Sequence, residues 1–236
     1  MKTASVAGAF ALVASALPEV VWADGRGELD PSLLRDLVHP YDVAVGPDGS
    51  LYVANAGRYG VAKLSPGGVV SRVGGGPGTA PGRLNFPMGV AVSPGGNVAV
   101  ADTNNGRVQI FDADGNFAGG FGRLGYLDGE FHRPKSVCFY RTGVLVADTR
   151  NHRIQYVDLE SERLVTRDPV TRAIYGGLGD GPSDLKLPRY VATAKGEDIY
   201  VADAGHGVVK VYSYDGALKR TLGAGVFSEP SGIACA

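Results

Sequence analysis

The feature that most restricts this chain is a spaced repeat. A proline, two variable residues and a short apolar run occur five times, as HPYDVAV, FPMGVAV, RPKSVCF, LPRYVAT and EPSGIAC. The prolines are Pro40, Pro87, Pro134, Pro188 and Pro230, so successive copies begin 47, 47, 54 and 42 residues apart. Each of the first four leads through a turn into a second apolar run: LYVAN, VAVAD, VLVAD and IYVAD. Self-similarity at that period marks a repeat architecture, in which each unit buries its apolar faces against its neighbours.

Within a unit every element is a short strand. The second unit reads GVAV, turn SPGGN, NVAVAD, turn TNNG, RVQIF, turn DADGN and FAGGFG. Gly, Pro, Asn and Asp bound each run, as hairpins require. Four strands in 42 to 54 residues make one β-propeller blade. The expected fold class is therefore all-β, a β-propeller of four-stranded antiparallel blades. Its repeats run at about 37–83, 84–130, 131–184 and 185–227, with a partial fifth at 228–236. The 36 glycines and 14 prolines in 236 residues suit a globular chain rich in tight turns.

VADTNNGRVQIFD and VADTRNHRIQYVD are nearly the same thirteen residues. Together with the proline-led strands they resemble the NHL-repeat family of β-propellers, with four full units and the opening strand of a fifth. Units one and four depart from the pattern: Asn55 replaces the Asp, and Gly60 and Val208 stand where Arg107 and Arg153 stand in their copies. The resemblance implies a ring of five or six blades, so an incomplete or permuted ring is expected here, or a fragment of a larger one. Residues 17–36 read as the remnant of a preceding blade or as closing strands, because ADGRGELDPSLLRDLVHP is comparable with GLGDGPSDLKLP.

Ahead of that segment, Lys2 and the run VAGAFALVASA end in Ala14, Ser15 and Ala16, the small-residue pattern of a secretory signal peptide over residues 1–16. Secreted or extracytoplasmic localisation is expected, without membrane insertion once the signal is removed. The cysteines, Cys138 and Cys235, lie in apolar runs and are too few for a disulfide framework. They are expected to be buried thiols.

Asp102, Asn105, Arg107, Asp148, Asn151 and Arg153 recur at one place in the repeat, which a turn must do and a catalytic group rarely does. The Asp is expected to accept N–H groups from the following turn, the Asn to take left-handed geometry, and the Arg to pair with the Asp across the hairpin. His39, His132, His152 and His206 have no i, i+4 spacing and no Cys/His cluster beside them, so neither a metal nor any other cofactor is expected. A lyase that cleaves peptidyl-hydroxyglycine looks like this family and carries zinc-binding histidines directly after such prolines. Tyr41, Met88, Lys135, Arg189 and Ser231 stand there instead. The Gly-rich stretch Gly74–Arg83 lacks the Gly-Lys-Ser/Thr ending of a phosphate loop and reads as an inter-blade connection. DADG from Asp112 and YDGA from Tyr214 read as hairpin turns, not calcium loops.

Charge is unevenly spread. The total is −1, but residues 131–190 hold 10 Lys+Arg against 7 Asp+Glu, while residues 1–130 hold 9 against 12. His132, Arg133, Lys135, Lys186, Arg189 and Tyr190 flank Pro134 and Pro188 in the basic section and form the candidate ligand-binding rim. No catalytic residue is expected. The favoured reading is a non-enzymatic binding or scaffold propeller that recognises a protein, peptide or glycan through its loop face. In such family members the domain acts as an interaction module, in ubiquitin ligases with RNA-binding activity, sensor kinases and secreted proteins. Two alternatives stay open: an RNA-binding propeller using the basic rim, and a lyase or hydrolase with a metal in the central channel.

Overall fold

The computed structural model describes residues 35–159, 170–194 and 198–233. The expected signal peptide, most of residues 17–36 and Cys235 lie outside them. The described chain forms four antiparallel sheets of four strands each, in sequence order. Blade 1 comprises β1 (Pro40–Val45), β2 (Leu51–Asn55), β3 (Gly60–Leu64) and β4 (Val70–Val73). Blade 2 comprises β5 (Gly89–Val92), β6 (Val98–Asp102), β7 (Arg107–Phe111) and β8 (Phe117–Phe121). Blade 3 comprises β9 (Ser136–Tyr140), β10 (Gly143–Asp148), β11 (Arg153–Asp158) and β12 (Val170–Tyr175). Blade 4 comprises β13 (Pro188–Thr193), β14 (Ile199–Asp203), β15 (Val208–Tyr212) and β16 (Leu218–Leu222). The all-β propeller architecture that the repeat predicts is the one observed.

Burial explains the sequence pattern. The second strand of blades 1, 2 and 3 is buried at every position, which is why LYVAN, VAVAD and VLVAD read as continuous apolar runs instead of alternating. Three apolar clusters lie between successive blades. Tyr52, Val61 and Val73 meet Val98, Val100 and Phe111 between blades 1 and 2. Ala99, Ala101, Val108 and Ile110 meet Val137, Val144 and Val146 between blades 2 and 3. Leu145, Ile154 and Tyr175 meet Val191, Val201 and Tyr212 between blades 3 and 4. Each connecting loop drops one side chain into its cluster, Leu84, Phe131 or Leu185, each fully buried. The loops share a parallel bridge, Pro77 to Leu84, Leu124 to Phe131 and Leu178 to Leu185.

Of the opening strand expected for a fifth unit, Ser231–Ile233 carries no strand and the remainder lies outside the described residues. Cys138 is part-buried, not fully enclosed; its Sγ lies 3.6 Å from Thr193 Oγ1 at the blade 3 to blade 4 seam.

Candidate functional site

The β2–β3, β6–β7, β10–β11 and β14–β15 turns and the inter-blade loops share one face of the array, and the repeated Asp sits beneath it. Asp102 is fully buried. Its Oδ1 accepts the Asn85 backbone N–H at 2.7 Å. Its Oδ2 accepts Asn105 Nδ2 at 2.8 Å, Arg107 Nε at 2.8 Å and Gln109 Nε2 at 3.1 Å. Blade 3 repeats the arrangement around Asp148, with His132 N at 2.7 Å, Asn151 Nδ2 and Arg153 Nε at 2.9 Å, and Gln155 Nε2 at 3.0 Å. The donors then reach into the preceding loop: Arg107 Nη2 to Ala80 O and Arg83 O, and Arg153 Nη2 to Leu127 O and Glu130 O.

Two expectations need correcting. The Asp takes its backbone N–H from the loop sixteen or seventeen residues upstream, not from the following turn, whose 3-10 geometry receives no side-chain cap. The left-handed residue is Gly106 or His152, one past the Asn, because each Asn spends its amide on the Asp and on a loop carbonyl, Gly78 O or Gly125 O. Gln109 and Gln155 complete the network without having stood among the sequence candidates. Their signal was the duplicated VQI and IQY.

What the network holds is a kink. The residue before each of the first four strand-leading prolines, His39, Phe86, Arg133 and Leu187, has φ between 50° and 54°. A following proline disfavours right-handed helical geometry, and a bulky side chain at positive φ is strained. The strain recurs in all four blades, and the residue just upstream is the one bonded to the buried Asp or to Asn55. The fastener thus turns each loop into the inner strand.

Of the six rim candidates, Arg133, Lys135 and Arg189 come together. Lys135 is part-buried, and its ammonium pKa is lowered first by desolvation and then by the charges of Arg189, Arg133 and Arg150. Arg150, in the blade 3 turn, is the member that sequence reasoning missed, because it lies inside the shared turn motif. Arg189 Nη2 pairs with Glu229 Oε2 at 2.7 Å. His132 is exposed, with its backbone anchored on Asp148 and its carbonyl accepting Arg150 N–H. Lys186 stands apart, 3.9 Å from Asp180. Tyr190 leaves the rim: its OH donates to Asp42 Oδ1 at 2.7 Å, linking blade 4 to blade 1. On the blade 1 side of the face, Tyr41 and Phe86 stack edge to face at 5.7 Å.

Asp42 also accepts the backbone N–H groups of Val90 at 3.0 Å and Val43 at 2.8 Å. The residue as a whole is part-buried, yet its carboxyl is enclosed by protein and its pKa is pushed up to about 6 by desolvation, which outweighs those donors. Ser136 has the equivalent role between blades 3 and 4, accepting Val191 N–H at 3.3 Å.

The other motifs satisfy themselves. In the Gly74–Arg83 loop, Gly75 N–H donates to Gly82 O and Gly82 N–H to Gln109 Oε1. Asp112 accepts the N–H groups of Asp114 and Asn116 within its turn, and Asp215 that of Ala217. Among the described residues no three His, Cys, Asp or Glu side chains converge to hold a metal.

A family model described as NHL repeat matches residues 84–111, which span β5 to β7. The protein brain tumor of Drosophila melanogaster is 40% identical over 81 residues, 33% of this chain and 8% of that protein. NHL-repeat-containing protein 4 of Mus musculus is 31% identical over 137 residues, 57% of this chain and 88% of that protein. Among solved structures, Kuenenia stuttgartiensis hydrazine synthase is similar at a TM-score of 0.59 and 17% identity, over 79% of this chain and 49% of that one, a likeness of fold alone. With the mouse relative matched over most of its length and the fastening turn of blade 2 lying inside the matched repeat, the chain belongs to the NHL-repeat family.

Proposed function

We propose that this chain is a non-catalytic binding propeller whose proline-loop face captures an acidic peptide segment of a partner protein. One observation carries the reading: Lys135, Arg133, Arg150 and Arg189 stand close enough to depress the lysine, with Glu229 the carboxylate that opposes them. Among the described residues no carboxylate lies within ion-pair distance of Lys135, Arg133 or Arg150. A part-buried cation held among cations gains most from an incoming carboxylate, which relieves repulsion as well as forming its own hydrogen bonds. The exposed Tyr41, stacked on Phe86, offers apolar contact on the blade 1 side of the same face. Export through residues 1–16 belongs to the same proposal and favours a protein partner over RNA.

The test is binding of a fluorescent glutamate-rich peptide to the wild-type chain and to the Lys135→Glu, Arg150→Glu double variant. A loss of tenfold or more with unchanged thermal unfolding is expected. Equal binding by both proteins overturns the proposal. A single-stranded RNA of matched charge that binds tighter, with affinity falling steeply with salt, moves the assignment to RNA.

A further inference from the structure

The opposite face carries a feature that no other blade seam shares among the described residues. Five of the chain's 11 tyrosines gather where blade 3 meets blade 4: Tyr140, Tyr156, Tyr175, Tyr212 and Tyr214. Three of them form a triangle. The ring centroids of Tyr140, Tyr156 and Tyr214 lie 5.9, 6.0 and 6.1 Å apart, and Tyr156 stands nearly perpendicular to the other two, at 78° and 75°. Tyr140 and Tyr156 are buried, while Tyr214, on the β15–β16 turn, is 37% exposed. Tyr175 supports the outer wall from below by donating its OH to the Tyr214 carbonyl at 2.9 Å.

A cation already lies over two of these rings. The Arg141 guanidinium carbon lies 3.8 Å from the Tyr214 ring centroid and 5.6 Å from that of Tyr140. Arg141 is exposed, sits on the β9–β10 turn and holds φ at 50°, a left-handed geometry that an arginine adopts only against strain. Aromatic walls attract a soft organic cation through their negative faces, most strongly where the cation sheds water. The corresponding turn residue of Tyr214 in blade 2 is Ala113, and that of Tyr156 is Ile110, so the repeat itself does not demand the rings.

We propose that the faces of Tyr140 and Tyr214, braced by the perpendicular ring of Tyr156, form a cage for a guanidinium or alkylated ammonium group on a partner chain, and that Arg141 is the built-in competitor that closes it. Because Arg141 is tethered at the rim, it competes at high effective concentration and sets a threshold for any external cation. This site is on the face opposite the basic rim, so it stands or falls independently of the acidic-peptide reading.

The experiment uses tetramethylammonium as the probe, at constant ionic strength, reading the upfield shift of its methyl protons and of the tyrosine ring signals. Arg141→Asn opens the cage while leaving a residue that tolerates positive φ, and Arg141→Gly serves as the second variant should the first unfold. Either open variant is expected to bind the probe at least tenfold more tightly than the wild-type chain. Adding Tyr214→Ala to the open variant should remove that gain. Binding no tighter than wild type in both open variants, or a gain that survives Tyr214→Ala, overturns the proposal.

Discussion

Blades 2 and 3 fasten their loops with a buried carboxylate, and blades 1 and 4 do the same work with different charges. In blades 2 and 3 the carboxylate is matched by Arg107 or Arg153 and wrapped by a glutamine. Blade 1 keeps the geometry and drops the charge: Asn55 Oδ1 accepts Val38 N–H at 2.7 Å, its Nδ2 donates to Asp36 O, and Gly60 fills the arginine position. Blade 4 keeps the carboxylate and moves the cation. Val208 takes the arginine's place, while Lys210, where the others have glutamine, brings its ammonium 3.1 Å from Asp203 Oδ2 and reaches Asp184 O, and His206 replaces the asparagine at 2.7 Å. The invariant is a neutral, fully bonded acceptor site for one loop N–H. A buried charge is kept only where a counter-charge is buried with it.

The largest effect that tests this rule is loss of the cation alone. Arg153→Met should cost about 3–5 kcal/mol, because Asp148 stays fully buried with its charge unmatched and the Leu127 and Glu130 carbonyls lose their donor. Adding Asp148→Asn recreates the blade 1 solution and should restore about 1–3 kcal/mol, since Asn still accepts the His132 N–H. Denaturant unfolding of both variants measures it. A double variant no more stable than Arg153→Met would show that the lost carbonyl contacts, not the stranded charge, set the cost.

Blade 4 gives the next test. Lys210→Met should cost about 2–4 kcal/mol, less than the arginine because His206 still bonds Asp203. The rescue is to convert blade 4 to the blade 2 pattern, Val208→Arg with Lys210→Gln, and thermal unfolding should place that pair within about 1 kcal/mol of the wild-type chain. A pair as unstable as Lys210→Met would mean that the two networks are not interchangeable and that the blade 4 backbone is built for lysine.

These networks also mark how far the sequence could be read. The prolines, the VAD endings and the Asp102–Arg107 pairing were legible because all lie within one hairpin or recur at one spacing, and strand register alone brings Asp102 opposite Arg107. The source of the Asp's backbone hydrogen bond was not legible, since it comes from a loop whose return path depends on blade packing. Lys210 standing in for an arginine two residues upstream was hidden for a similar reason: both positions point to the same buried oxygen only once the sheet is formed. At the rim, composition located Lys135 and Arg189, but the Tyr190–Asp42 bond joins residues 148 positions apart, which no local pattern encodes.

Asp42 is the exception to the rule of matched charge, and it predicts the smallest effect. It is enclosed, and its bonded partners are the neutral donors Tyr190 OH, Val90 N–H and Val43 N–H. Desolvation therefore raises its pKa from 3.8 to about 6. The folded state binds this proton more tightly than the unfolded chain, so the stabilisation is fully present below about pH 4 and is lost as pH rises through about 6. Asp48 is shifted the other way: desolvation pushes its pKa up, but hydrogen bonds from Ser50 and the charge of Lys63 together outweigh it and lower the pKa, so it gives up its stabilisation only below about pH 4. Between about pH 4 and 7 Asp42 is opposed by His152, whose pKa is lowered first by desolvation and then by Arg150 and whose stabilisation is lost as pH falls, so the Asp42 share, about 1–2 kcal/mol after solvent screening, is read as the difference between wild type and variant. Asp42→Asn should flatten the fall in melting temperature between about pH 4 and 7, while the wild-type chain keeps it. An unchanged slope in the variant would place the channel carboxylate with Asp102 and Asp148, its charge matched by a group other than the three donors named.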